Sequence, residues 1–302
     1  MGLVLGTLGF RSLPFPSVRA ILNRYFDTGG EWIDTAALYG NGSVEKAIGR
    51  FLNSTGTEAK VATKIGYFAQ SKHYHDSANL VAACEASTAR LQRGPNLVFI
   101  HEADWRVWWD GTAPQGTFVA PQDSYSIGES IRFLKNSLLA KRIGMGIAGN
   151  CATGLESVYR MGSHTAWEVV LIAKQYDLVW RNASGFAGLL GRVKKPECWL
   201  AAPFHQGWLF RLDQLSRLLP ESKAQVRAVQ GLLTNFRLTP AEVALPFIRA
   251  TQPYASVVIG VETVMELDHA RIAYNRCIPE ELIASLQDLH WCHKAMPGPL
   301  GP

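Results

Sequence analysis

The sequence predicts one (β/α)8 barrel of the α/β class, the TIM-barrel architecture. Three observations carry that prediction. Short, continuously apolar stretches alternate with amphipathic helical stretches along the 302-residue chain, as expected for strands of a parallel sheet buried on both faces. Eight such units can be counted, and a barrel of this kind takes about 250 residues or more. Polar residues fall directly after several different strands, whereas no Gly-x-Gly-x-x-Gly follows the first. That distribution sets a barrel above a doubly wound open sheet.

Leu3–Thr7 reads as the first strand, ending at a glycine turn. Val18, Ile21, Leu22 and Tyr25 then give a helix over Pro14–Phe26 its apolar face, and Gly29-Gly30 stops it. Trp32-Ile33 is the second strand; Gly40 and Gly42 punctuate the turn after it, and Ser43 reads as N-cap of a helix to Leu52. Strand Lys60–Lys64, helix Ser77–Leu91 and strand Leu97–Ile100 follow. The second half continues with helix Ile127–Ala140, strand Ile143–Ile147, helix Gly154–Met161, strand Glu168–Ile172, helix Phe186–Val193 and strand Trp199–Ala201. Helices Lys223–Asn235 and Pro240–Ala250, strand Ser256–Ile259, helix Val264–Tyr274 and a C-terminal helix Glu280–Lys294 complete it. Long loops follow the fourth strand (102–126) and the seventh (203–222), both rich in aromatic residues. They lie on the carboxyl-end face, where such barrels keep their chemistry, and long loops there shape pockets. Residues 1–295 are predicted to form the barrel and 296–302 a flexible tail.

Composition narrows the partners. With 47% hydrophobic and 18% charged residues, the chain has the balance of a soluble globular protein. Its formal charge of +5 comes from scattered residues with no basic run, so no nucleic acid is expected. Five cysteines, at 84, 151, 198, 277 and 292, are odd in number and lack paired metal spacing, which argues against a disulfide framework and a zinc site. No leader peptide and no apolar run of membrane-spanning length is visible. The expectation is a cytoplasmic protein, monomeric or a small homo-oligomer, with a small-molecule partner, no membrane and no metal.

Four polar residues follow consecutive strands: Asp34 and then Tyr39 after the second, Lys64 at the end of the third, His101 after the fourth. Each alone has a structural reading, as a turn ligand, packing, a solvated strand end or a core histidine. Together they converge on one barrel mouth. A free tyrosine has a pKa near 10, and a lysine ammonium about 4 Å away would favour the phenolate by about 4 kcal/mol at an effective dielectric near 20. Lys64 is therefore expected to lower the Tyr39 pKa, with Asp34 holding Lys64 in place and charged.

The segments Ile33-Asp34-Thr35-Ala36 with Tyr39-Gly40, Ala62-Thr63-Lys64-Ile65-Gly66 and Phe99-Ile100-His101 resemble the aldo-keto reductase superfamily. The resemblance continues through Lys141–Asn150, Leu238–Leu245 and Val257–Thr263, and so spans nearly the whole chain. Ala201–Gly207 is most similar to the branch of D-threo-aldose and L-galactose dehydrogenases. Membership would imply hydride transfer between NADP or NAD and a small carbonyl substrate, an aldehyde, a ketone or a sugar lactol/lactone pair. Tyr39 would be general acid and base, Lys64 and Asp34 would tune it, and His101 would orient the substrate oxygen. Cofactor contacts are then expected from Thr7, Asp34, Asn150, Phe204, Gln206, Gly260 and Glu262, and a substrate wall from Phe68, Trp105, Trp108, Trp109 and Trp208. The tryptophans suit a sugar face and equally an aromatic, polyketide or alkaloid carbonyl. The same four residues also occur in cofactor-binding regulatory subunits such as the potassium-channel β subunits.

Three features depart from the family pattern. Ala148 and Ala173 stand where carboxamide ligands would be, leaving Asn150 with Gln175 as a weak substitute, and Ala201 replaces a stacking tyrosine. Glu262 stands where NADP users place a basic residue, which tilts the expectation to NAD; Arg271, or Lys223 and Arg227, could still cover a 2′-phosphate. Family members commonly plug the barrel bottom with a hairpin before the first strand. With Leu3 so near the start, either another segment covers that end or the sequence is a truncated one.

Overall fold

The eight apolar stretches pair in parallel with their sequence neighbours, and the last returns to the first. They are β1 (Leu3–Gly6), β2 (Trp32–Asp34), β3 (Lys60–Ile65), β4 (Leu97–Ile100), β5 (Arg142–Ile147), β6 (Val169–Ala173), β7 (Glu197–Ala201) and β8 (Ala255–Gly260), closed into a barrel in that order. The closing ladder sets Leu3 beside Val257 and Gly6 beside Gly260. This computed structural model describes residues 2–67, 74, 76–113, 117, 119–120, 128–137, 139–148, 168–181, 183, 196–218 and 223–289. Among these, helices α1 (Phe15–Asp27), α2 (Ser43–Thr55), α3 (Ser77–Leu91), α4 (Gly128–Asn136), α5 (Leu212–Leu218), α6 (Lys223–Asn235), α7 (Pro240–Thr251), α8 (Val264–Asn275) and α9 (Glu280–Asp288) surround the strands. The barrel is a single domain. The helices predicted at Gly154–Met161 and Phe186–Val193, the last residues of the terminal helix and the tail lie outside the described residues. No helix among the described residues is long and apolar enough to cross a membrane.

Period-two alternation sorts each strand between two apolar clusters. Ile33, Val61, Ile65, Val98, Ile100 and Ile143 join the helices' apolar faces in the outer layer. Val4, Ala62, Leu97, Phe99, Val169, Leu171, Trp199 and Val258 fill the interior. There the fully buried Trp199 meets Trp32 and Phe99 edge-on, with ring centroids 5.2 and 5.6 Å away. Gly144 leaves the room: a Cβ at that position would lie 2.6 Å from the Phe99 ring. Trp199 Nε1 donates to Glu197 at 2.8 Å, Arg142 pairs with Glu197 at 2.9 Å and with Glu168 at 3.2 Å, and Lys135 joins Glu168 at 3.0 Å. Strand side chains thus fill the interior toward its amino-terminal end. A cavity of about 920 Å³ opens on that side, bordered by Leu3, Trp32, Glu197 and Ala255, at the opposite end of the strands from Asp34 and Lys64.

One cap differs from the sequence reading. Gly42, not Ser43, holds the N-cap position of α2, in the left-handed conformation at φ 83°, and no side chain caps the helix. Gly40 (φ 56°), Asn41 (φ 51°) and Gly42 turn left-handed in succession directly after Tyr39. Glycine follows such a path without steric cost, and a Cβ on Gly42 would also strike Arg90 at 2.6 Å. The chain completes its reversal before it reaches Ser43.

Candidate active site

Alternation that buries Trp32, Ala62 and Phe99 inside the barrel also turns Asp34, Lys64 and His101 inward, two residues further along each strand direction. Asp34 ends β2 opposite Ala62, and Lys64 lies next to last in β3 opposite Phe99. The His101 N–H extends the ladder past β4, donating to Ile65 O at 2.9 Å. Tyr39 stands at the start of the left-handed turn, its N–H on Ala36 O at 3.1 Å. Four residues separated by up to 67 positions in sequence therefore share one end of the barrel.

Lys64 Nζ donates to both Asp34 oxygens at 2.6 Å and to Thr35 O at 3.1 Å, and lies 3.4 Å from the Tyr39 hydroxyl. Both members of the ion pair are almost completely buried. The Tyr39 ring stands edge-on to the His101 imidazole, centroids 6.3 Å apart at 82°. Burial strips solvation from all four groups. It works to remove the Lys64 proton, but the Asp34 carboxylate and Tyr39 together outweigh it and hold the lysine pKa above its ordinary value. Burial raises Asp34 as well, with Lys64 opposing. His101 is held well below the ordinary histidine range, by burial and then by the Lys64 charge, and so is neutral. Tyr39 moves opposite to the sequence expectation. Its pKa is raised, first by burial, with Lys64 pulling down and Asp34 pushing up. A lysine neutralised by its carboxylate cannot offset the dehydration of a buried phenolate.

Sequence reading missed the supports. Glu45 on α2 is fully buried, accepts from Thr63 Oγ1 at 2.6 Å beside Lys64, and pairs with Arg90 at 2.6 Å. It binds α2 and α3 to the strand that carries the lysine. Tyr67, left-handed at φ 54°, lies between His101 and Trp108, edge-on to each with centroids 5.0 Å apart. The Tyr74 hydroxyl donates to His101 O. Glu102, directly after His101, is left-handed at φ 47°, and its Oε2 is buried with no hydrogen-bond partner among the described residues. Tyr67 and Glu102 lie close to Lys64 and His101 in sequence, which by itself does not fix direction, whereas Glu45 and Tyr74 carry no such signal.

The remaining predicted residues divide. Trp108 joins the mouth through Tyr67, and the Trp105 N–H donates to Glu102 O at 3.0 Å. Trp109 is turned into the core instead: it is 3% exposed, packs edge-on to Tyr74 and donates its indole N–H to Ala103 O at 2.7 Å. Its bulk finds more apolar contact inside than at the mouth. Trp208, on the other long loop, lies beneath the Arg211 guanidinium at 5.1 Å. Thr7 is fully buried with its hydroxyl donating to Asp34 O at 3.0 Å, so that proton is already committed. Phe204 packs on Phe210, with centroids 5.1 Å apart, and the exposed Gln206 is left-handed at φ 55°. Gly260 and Glu262 are exposed; the Glu262 N–H donates to Glu266 at 2.8 Å, and its side chain covers Gly9. Arg271 donates to Thr28 Oγ1 and Thr28 O at the end of α1, which engages the guanidinium away from a 2′-phosphate role. Phe68 and Asn150 lie outside the described residues.

Opposite the tetrad, the inward positions at the carboxyl ends of β5, β6, β7, β8 and β1 are Gly146, Ala173, Ala201, Gly260 and Gly6. A Cβ on Gly260 would meet nothing within 4 Å. The profile of the Aldo/keto reductase family matches residues 2–290. The chain belongs to that family. A search of curated proteins gave no match. Members of the family are NAD(P)-dependent oxidoreductases of small carbonyl compounds, and this aldo/keto reductase is an oxidoreductase accordingly. The loop after β7 adds left-handed Ala202, His205, Gln206 and Gly207, with the His205 N–H donating to Ala202 O and the Gly207 N–H to Phe204 O, each at 2.9 Å. That loop is anchored by buried His205, whose Nδ1 lies 2.8 Å from Asp177 and whose ring lies 4.0 Å from Trp180.

Proposed function

We propose that this aldo/keto reductase interconverts an aldehyde or ketone with its alcohol, or a sugar lactol with its lactone, using Tyr39 as general acid and base. The observation that carries the reading is the Tyr39 hydroxyl held 3.4 Å from an Asp34-paired Lys64, edge-on to a neutral His101. A bound nicotinamide dinucleotide supplies the hydride in reduction and accepts it in oxidation. Tyr39 gives its proton to the carbonyl oxygen, or takes it back, and Lys64 stabilises the phenolate left behind. Asp34 keeps that lysine charged. His101 donates a hydrogen bond to the same substrate oxygen, orienting the carbonyl and stabilising its developing charge. Gly146, Ala173, Ala201 and Gly260 would receive the nicotinamide ring. The backbone of Ala202–Gly207 and of Gly260–Thr263 would hold the phosphates, after the strands where barrels of this class place them. Glu262 and Glu266 together disfavour a 2′-phosphate, so NAD is the proposed partner.

The test is a screen by nicotinamide absorbance, with sugars and oxidised cofactor in one arm and aromatic aldehydes and ketones with reduced cofactor in the other. Multiple turnover that falls by about 10²–10⁴ in Tyr39→Phe, with cofactor affinity retained, is the expected result. Tight cofactor binding without turnover of any carbonyl would assign a regulatory subunit instead. The Tyr67–Trp108 wall favours a second reading, a biosynthetic reductase of aromatic carbonyls, and the reduced-cofactor arm decides it.

A further inference from the structure

We propose that Glu102 is a specificity-determining residue that receives a hydroxyl group of the substrate, which makes the carbonyl compound taken by this site a polyhydroxylated one. This rests on the carbonyl chemistry proposed above and deepens it. Tyr39, Lys64 and His101 account for proton transfer and carbonyl orientation, and leave Glu102 without a task. Yet the chain holds it at the mouth at some cost. Its φ of 47° is left-handed, a conformation that non-glycine residues rarely keep unless neighbouring contacts impose it, and one that clusters at ligand sites. The contacts are there. The Ala103 N–H donates to Gly146 O at 2.9 Å and the Trp105 N–H to Glu102 O at 3.0 Å.

The carboxyl itself is unmatched. Oε2 is buried and finds no hydrogen-bond partner among the described residues. The charged groups around it are Asp104 on its own loop, Lys174 after β6 and Lys64 of the tetrad, and its charge is felt at Tyr39. Lys174, directly after β6, is left-handed as well, at φ 61°. Burial raises the Glu102 carboxyl to about 7, so near neutrality it both accepts and donates. An already dehydrated polar atom gains a hydrogen bond from a ligand that pairs with it and nothing from one that cannot, so the site favours a hydroxylated ligand over the analogue lacking the hydroxyl. An alkyl or polycyclic aromatic ketone leaves Oε2 unpaired, whereas a substrate with hydroxyls along its carbon chain supplies the partner.

The experiment compares D-glyceraldehyde with propanal, which has the same carbon count and no hydroxyls, in wild type, Glu102→Met and Glu102→Gln. Binding of xylitol and 1-pentanol to the same proteins holding oxidised cofactor is read in parallel by saturation-transfer NMR. Wild type is expected to prefer the hydroxylated member of each pair. Glu102→Met should lower that preference at least tenfold, and Glu102→Gln, which keeps an acceptor oxygen and the side-chain shape, should lower it less. Equal preference in wild type and the folded variants, or none in wild type, overturns the inference. If no protein turns over either aldehyde but xylitol binding is lost in Glu102→Met, the reductase reading fails and the hydroxyl site stands.

Discussion

Lys64 Nζ stands 2.6 Å from each oxygen of Asp34, so Tyr39, 3.4 Å away, faces a lysine whose charge is already answered. The pair keeps a cation in a dry site without making the neighbouring tyrosine acidic.

The pH dependence of the two reaction directions follows from the sign of the Tyr39 shift. Its pKa lies above the ordinary tyrosine value of about 10, raised chiefly by burial. Carbonyl reduction, which needs the phenol, should stay level in that group across neutral pH. Alcohol oxidation, which needs the phenolate, should keep rising as pH approaches 10. Turnover in both directions against pH checks this, and an oxidation rate that levels near neutrality for Tyr39 would contradict it.

Breaking the ion pair from one side should cost more than removing it. Lys64→Met strands the buried Asp34 carboxylate, and loss of one partner of a buried pair typically costs about 3–5 kcal/mol. Adding Asp34→Asn should recover most of that loss. Denaturant unfolding of wild type, both single variants and the double variant measures it; additive losses would show that the two residues are energetically independent.

Glu262→Arg should raise NADP turnover relative to NAD. The exposed carboxylate proposed to repel a 2′-phosphate would become a guanidinium able to pair with it, although Glu266 remains beside it. Steady-state kinetics with both cofactors gives the ratio, and an unchanged ratio would exclude Glu262 from cofactor choice.

The order of strands and the four tetrad positions were legible because both depend on local pattern: an apolar run buried on two faces, then a polar residue at its end. Helix Ser77–Leu91 and strand Leu97–Ile100 have the predicted bounds. Direction and environment were not legible. Trp109 turns inward while Trp108 joins the mouth, a difference set by the loop path rather than by residue type. The rise of the Tyr39 pKa depends on how completely water is excluded, which spacing does not report. Glu102 was unreadable because a left-handed residue breaks the alternation that assigns a side to each position. Ser43 failed as a cap because the three preceding residues take a path open chiefly to glycine.

Gly144→Ala tests the interior packing. The new methyl would approach the Phe99 ring at 2.6 Å and Val169 O at 2.9 Å, and Phe99 has Trp199 behind it. Overpacking of this kind typically costs about 1–3 kcal/mol. Thermal unfolding should show the loss, and a variant as stable as wild type would mean the aromatic trio has slack.

The bare arc formed by Gly146, Ala173, Ala201, Gly260 and Gly6 faces a polar arc carried by β2, β3 and β4. The two semicircles are independent at Gly260, where a Cβ would meet nothing within 4 Å, and joined at Gly146, where one would lie 3.2 Å from Ile100 O and 3.4 Å from Glu102 N. A methyl added at Gly260 would take volume from the mouth without touching the polar arc, whereas one at Gly6 would press on Val258 at 3.0 Å and on Ile259 O at 3.1 Å within the barrel wall. Position 260 is therefore where single methyl groups could exchange one guest of the mouth for another while Asp34, Tyr39, Lys64 and His101 stay as they are.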